Sequence, residues 1–141
     1  MNVEECLAEG LLKKTDPDRK KALRSLELSA HKIEIAKREL KAGIYENVVI
    51  SAYTSMFHSA RALLYRDGYK ERSHYAIFVY LNEKYTDKME RRYLHEFNSL
   101  RMERHELMYG LEKLPEILKA EAESVVEIAE GFLEQVKKIL S

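Results

Sequence analysis

The sequence predicts an all-α protein, an antiparallel up-and-down helical bundle of four main helices plus a short helix and an N-terminal extra helix. Three observations carry that expectation. The 141 residues include only two prolines and five glycines. No stretch shows the β-branched alternation of a half-buried strand. Apolar residues instead recur at helical spacing in long segments joined by short breaks, which favours antiparallel neighbours.

Taken in order, Asn2 is placed to cap a first short helix, with Val3, Cys6, Leu7 and Leu11 along one face. Thr15-Asp16-Pro17 reads as the next start, with Asp16 as cap and Pro17 at the first helical position, where a missing N–H costs nothing. The second helix runs to about Lys41, with Leu23, Leu26, Ala30, Ile33 and Leu40 as its seam, and Gly43 ends it. The third helix, about Tyr45 to Arg66, is the most apolar. Val48, Val49, Ala52, Tyr53, Met56, Phe57, Ala60, Leu63 and Leu64 make a broad face, opposite Thr54, His58, Arg61 and Tyr65. Asp67-Gly68 stops it.

Ser73 caps a short fourth helix, His74 to about Tyr85, with Ile77, Phe78 and Leu81 inside. Asp87 and Glu90 have capping-box spacing for a fifth helix that runs to about Tyr109, before Gly110. Pro115 opens the sixth, with Val125, Ile128, Ala129, Phe132, Val136 and Ile139 as its seam. One domain over residues 1–141 is expected from this length.

Composition narrows the function classes. Lys plus Arg and Asp plus Glu number 24 each, so the formal net charge is zero. Any nucleic-acid or membrane contact must then use a local patch. Cys6 is the single cysteine, which rules out an intrachain disulfide and fits a reducing compartment. The opening MNVEECLAEG lacks the basic flank of a signal peptide, and no apolar run reaches ~18 residues, so a cytoplasmic protein without a membrane span is expected. The chain is Lys/Glu-rich with one glutamine, Gln135, a composition common in thermophiles.

The chemistry-bearing residues concentrate at the end of the fifth helix. Its stripe is Tyr93, Phe97, Leu100, Leu107 and Leu111, and Arg104 falls within about 20° of Phe97 on the helical wheel. A charged head in an apolar register needs a partner or a cavity. Two readings stand open. Arg104 snorkels or pairs with a neighbouring glutamate, or it is held for function. Arg101, Arg104, His105, Met108 and Tyr109 share an arc of roughly 140°. Arg101 and Arg104 are the candidate RNA- or nucleotide-binding residues, because guanidinium grips phosphate bidentately. Arg104, His105 and Tyr109 are the candidate catalytic residues. The imidazole moves protons at neutral pH and the phenol donates to a leaving oxygen. The same cluster is also what an ordinary solvated helix end presents, where cations favour the dipole.

His105-Glu106-Leu107-Met108-Tyr109 falls short of the zinc-protease His-Glu-x-x-His pattern, so no metal site is expected. No glycine-rich phosphate loop is present, and no cofactor is expected. His58, beside Arg61, is expected to face water in preference to lining a dimer surface, His74 to open its helix, and Cys6 to fill the core. Tyr45, Tyr53 and Tyr93 read as core or boundary, and Tyr65, Tyr69, Tyr75, Tyr80 and Tyr85 as polar tips at a partner surface.

The segment AYTSMFHSARALLYRDGYKERSH, Ala52 to His74, resembles the HEPN family of small helical-bundle proteins. The elements shared are the Ala-Tyr-x-x-Met-Phe-His-x-Ala-Arg-Ala-Leu-Leu helix, the glycine break and the Ser-His opening of the next helix. Ala42-Gly43-x-Tyr45-Glu46 also fits, and the resemblance runs from about Lys20 to Lys138. It implies a bundle that forms a homodimer and pairs with a separately encoded minimal nucleotidyltransferase in toxin–antitoxin modules. In some branches it implies metal-independent RNA cleavage. Those nuclease branches carry an Arg, four to six residues, then a His. Arg104 matches the arginine, and Tyr109 stands where the histidine is expected, so the resemblance leaves binding and cleavage both open. It further implies that Tyr109 or a nearby tyrosine accepts a nucleotide from such a partner.

Overall fold

A computed structural model describes residues 1–141. Its elements are α1 (Val3–Ala8), β1 (Leu12–Lys14), α2 (Arg19–Lys41), α3 (Tyr45–Asp67), β2 (Tyr69–Glu71), α4 (His74–Lys84), α5 (Arg91–Tyr109) and α6 (Lys119–Leu140). α3 is the hub and touches α2, α4, α5 and α6. Every residue of its expected apolar face is buried except half-buried Phe57, and Ser55, Ser59 and Ala62 are buried as well. This helix therefore buries most of its circumference.

The four long helices alternate in direction. Ser25 Oγ donates to the His58 carbonyl and Ser29 meets Ser55 and Ser59, so α3 runs back along α2. Tyr93 lies against Gly131, and Glu90 N–H donates to Gln135 Oε1, so α6 runs back along α5. Arg66 reaches the Ile139 carbonyl, which puts the ends of α3 and α6 together. The short α4 departs from the alternation. His74 sits beside Tyr53 while Tyr80 and Tyr85 reach Asp67, so α4 runs in the same sense as α3. β2 makes this possible by carrying the chain back along α3 before α4 begins.

β2 also pairs antiparallel with β1, Leu12 opposite Glu71 and Lys14 opposite Tyr69. The sequence reading did not anticipate this two-stranded clasp, since three-residue strands are too short to show alternation. The clasp also moves the start of α2. Thr15 N–H donates to Gly68 O and Asp18 N–H to Tyr65 O, so the chain stays extended through Pro17. The cap is Asp18, whose side chain accepts from Lys21 N–H at 2.9 Å, and not Asp16.

Other expected details shift for similar reasons. The buried seam of α2 is Ala22, Ser25, Ser29, Ile33 and Ala36, while Leu23 is 45% exposed. Small residues let α2 approach α3 closely, and their hydroxyls are paired across the contact. α5 starts at Arg91, because the Glu90 N–H that a capping box from Asp87 would use is bound by Gln135. α6 starts at Lys119, after Leu118, and not at Pro115. α1 forms as expected, with Asn2 and Glu5 in a reciprocal capping box. Cys6 is fully buried, and no helix is long and apolar enough to cross a membrane.

Candidate functional site

α3 supplies the floor of the site. Tyr53, Phe57 and Arg61 recur at a spacing of four and so share one face. Tyr53 is fully buried and stacks on Phe97 of α5, ring centroids 5.6 Å apart. Its hydroxyl meets His74 Nδ1 at 2.8 Å. His74 is the first residue of α4, and the Ser73 hydroxyl fixes that helix start by accepting from Ala76 N–H at 3.0 Å. Phe57 stacks on the imidazole at 4.4 Å with the ring planes 20° apart. Arg61 lies over Phe57 at 5.1 Å and pairs with Glu71 of β2 at 2.7 Å.

α5 supplies the cations. Arg104 is half-buried, its guanidinium 5.8 Å from the centroid of the Tyr53 ring. It has neither a carboxylate partner nor a hydrogen bond to the rest of the chain. Arg101 lies over Tyr75 at 5.2 Å, with Asn98 Oδ1 accepting from its Nε and Nη2. That amide orients the guanidinium without neutralising it. His105 and Tyr109 are exposed, their rings 4.9 Å apart on the outer side of the helix. The fold thus brings Arg101 and Arg104 to the Tyr53–His74 pair and leaves His105 and Tyr109 in solvent.

The electrostatics follow from this arrangement. Burial pushes the Tyr53 phenol well above its usual range, against the pull of Arg104 and Arg101. Burial lowers His74, and Arg104, Arg101 and Arg61 lower it further, so the imidazole is neutral at pH 7. One imidazole therefore sits among three guanidiniums in a chain with no net charge. A groove of about 300 Å³ near the same helix end is lined by Glu103, Glu106, Leu107, Leu114 and Ile117 among others. Its three carboxylates, Glu103, Glu106 and Glu116, outnumber its one lysine, Lys113, and disfavour a phosphate there. In it burial and the neighbouring Glu121 raise the Glu103 carboxyl to about 7.

Three expectations change here. His58 does not face water: its Nδ1 is buried without a partner, and burial with Arg61 and Lys32 lowers its pKa. Tyr80 and Tyr85 are buried, and their hydroxyls bond Asp67 instead of a partner. The stripe on α5 ends at half-buried Leu107, because Leu111 lies beyond the helix and is 98% exposed. His74 was legible only as a helix opener. Its tie to Tyr53 crosses two helices, and the Tyr53-Phe57-Arg61 spacing was the available signal.

The HEPN domain model matches residues 12–139. The chain belongs to the HEPN family. A relative provisionally named a toxin occurs in Methanocaldococcus jannaschii. It is 31% identical over 120 residues, covering 77% of this chain and 85% of that protein. Within the HEPN match, α3, the Gly68 break and the Ser73-His74 start of α4 are the elements that build the floor described above.

Proposed function

We propose that this chain is a toxin-type HEPN module that binds an RNA or nucleotide phosphate through Arg101 and Arg104. It works as a homodimer with a separately encoded nucleotidyltransferase partner. The observation that carries the phosphate reading is Arg104: a half-buried arginine set over the Tyr53 ring, whose guanidinium reaches solvent and has no anion of its own. Removing a cation from water costs free energy that a ring face returns only in part, about 0.5–2 kcal/mol. An incoming phosphate supplies the missing charge and accepts both N–H groups of the fork.

The toxin reading draws on the name of the M. jannaschii relative. The pairing reading draws on an apolar strip at the end of α5 and the loop after it. Met102, Met108, Tyr109, Leu111, Leu114 and Leu118 are all exposed there, Leu111 and Leu114 at 98% and 90%. Such a concentration marks a protein-contact surface. Sedimentation should show a dimer that Leu111→Glu with Leu114→Glu dissociates, and a monomeric wild type would refute the homodimer. Intact mass after incubation with the nucleotidyltransferase and ATP tests the partner, and an unchanged mass counts against nucleotide transfer to Tyr109.

The second reading is a metal-independent endoribonuclease in which Arg104 stabilises phosphate charge and His105 or Tyr109 carries the proton. The contact between the His105 and Tyr109 rings, on the outer side of the same helix end, favours it. Purified protein in EDTA separates the readings. Cleavage by wild type that Arg104→Ala abolishes supports the enzyme, and binding without cleavage, lost in Arg104→Ala, supports the module.

A further inference from the structure

His74 and Tyr53 form a unit that the two arginines do not explain. Tyr53 is fully buried, and its hydroxyl has one hydrogen-bond partner, His74 Nδ1. A buried phenolic proton needs an acceptor. Burial keeps that proton on the oxygen across the neutral range. The O–H therefore donates to Nδ1, and the single proton of the neutral imidazole resides on Nε2. Nε2 makes no hydrogen bond within the chain and is not sealed from solvent. The ring is also held in place. Phe57 stacks on it at 4.4 Å and Tyr53 lies 5.7 Å away, with interplanar angles of 20° and 30°.

A fixed, unpaired N–H beside cations is a hydrogen-bond donor waiting for an anion. The groups that face the imidazole are Tyr53, Phe57 and Arg61 from α3 and Arg101 and Arg104 from α5. None of them is an acceptor for Nε2–H. A protonated histidine is not required, because the arginines supply the charge and the neutral ring supplies direction. We propose that His74 is a third phosphate ligand, donating through Nε2–H to the phosphate that Arg101 and Arg104 bind, with Tyr53 as the positioning residue that fixes the tautomer. The ligand class is a phosphodiester or terminal phosphate of RNA or a nucleotide. This inference rests on the phosphate-binding reading of Arg101 and Arg104.

Two measurements test it. In protein labelled with 15N at histidine, the free form should show His74 as the Nε2–H tautomer. Titration with inorganic phosphate should move the Nε2 resonance, and Arg104→Gln should weaken that response. A Nδ1–H tautomer, or an Nε2 resonance that phosphate leaves in place, overturns the proposal without any variant having to fold. In the second measurement, anisotropy of a fluorescein-labelled single-stranded RNA reads the affinity. His74→Phe keeps the stack on Phe57 and should weaken binding about tenfold, the effect of one hydrogen bond to a charged group. His74→Gln restores an N–H donor and should recover part of that loss, and Tyr53→Phe should weaken binding by freeing the tautomer. Wild-type affinity in His74→Phe with loss in Arg104→Gln would overturn the role of His74 and leave the arginine site standing. Absence of binding by wild type would overturn both.

Discussion

Asp67 closes α3 and holds three partners at once. Its Oδ2 accepts from the Tyr80 hydroxyl at 2.7 Å and from the Tyr85 hydroxyl, and its Oδ1 from Arg66 Nε at 3.1 Å. Tyr80 and Tyr85 are 2% and 3% exposed, so Asp67→Ala strands two buried phenolic donors. A hydrogen bond to a charged acceptor contributes about 1.5–3 kcal/mol, so two give about 3–6 kcal/mol. The Asp67 side chain is 22% exposed, and water entering the vacated space recovers part of this. The lower end applies, about 3 kcal/mol, or a fall in Tm of about 10 °C for a chain of this size. Urea unfolding followed by far-ultraviolet circular dichroism should show the midpoint falling with an unchanged m value. The double variant Tyr80→Phe with Tyr85→Phe should cost less, because it leaves a carboxylate that water can reach and not a buried donor. A cost below about 1 kcal/mol for Asp67→Ala, or below that of the double variant, would refute this reasoning.

Two further predictions concern pH. Burial and Asp67 hold the Tyr80 and Tyr85 phenols above their usual range, and burial does the same for Tyr53. Their folded pKa values exceed the unfolded value of about 10, so their contribution is complete below that pH and is lost above it. An absorbance titration of phenolate should therefore show a late component, from these three tyrosines, that coincides with unfolding. Glu103 is raised to about 7 by burial and by Glu121, so its contribution is present below about pH 4 and is lost as pH rises through about 7. Tm measured against pH should fall across that window in wild type and be flatter in Glu103→Gln.

What the sequence made legible follows from how burial is distributed. α3 was plain because most of its apolar residues are core, and Gly43 and Gly68, at φ of 78° and 87°, mark the end of α2 before it and the end of α3 itself. The seam of α2 was misread because hydrophobicity favoured Leu23 over Ser25 and Ser29, whereas close packing against α3 favours the small residues. The starts of α2 and α5 were displaced by tertiary hydrogen bonds, to Tyr65 O and to Gln135. At the candidate site, the register of α5 pointed to Arg104 and the wheel grouped it with Arg101. The wheel could not reveal Tyr53 and His74, since they come from α3 and α4 and meet α5 only in the fold.

The central claim is that Arg104 is an unpaired cation that takes a phosphate. The most direct test is the affinity of a labelled single-stranded RNA for wild type and Arg104→Gln across a series of salt concentrations. Each phosphate contact contributes about 0.7 to the slope of log affinity against log salt. The account predicts weaker binding by Arg104→Gln at low salt and a slope smaller by about 0.7, the loss of one phosphate contact. Coincident lines for the two proteins would contradict it.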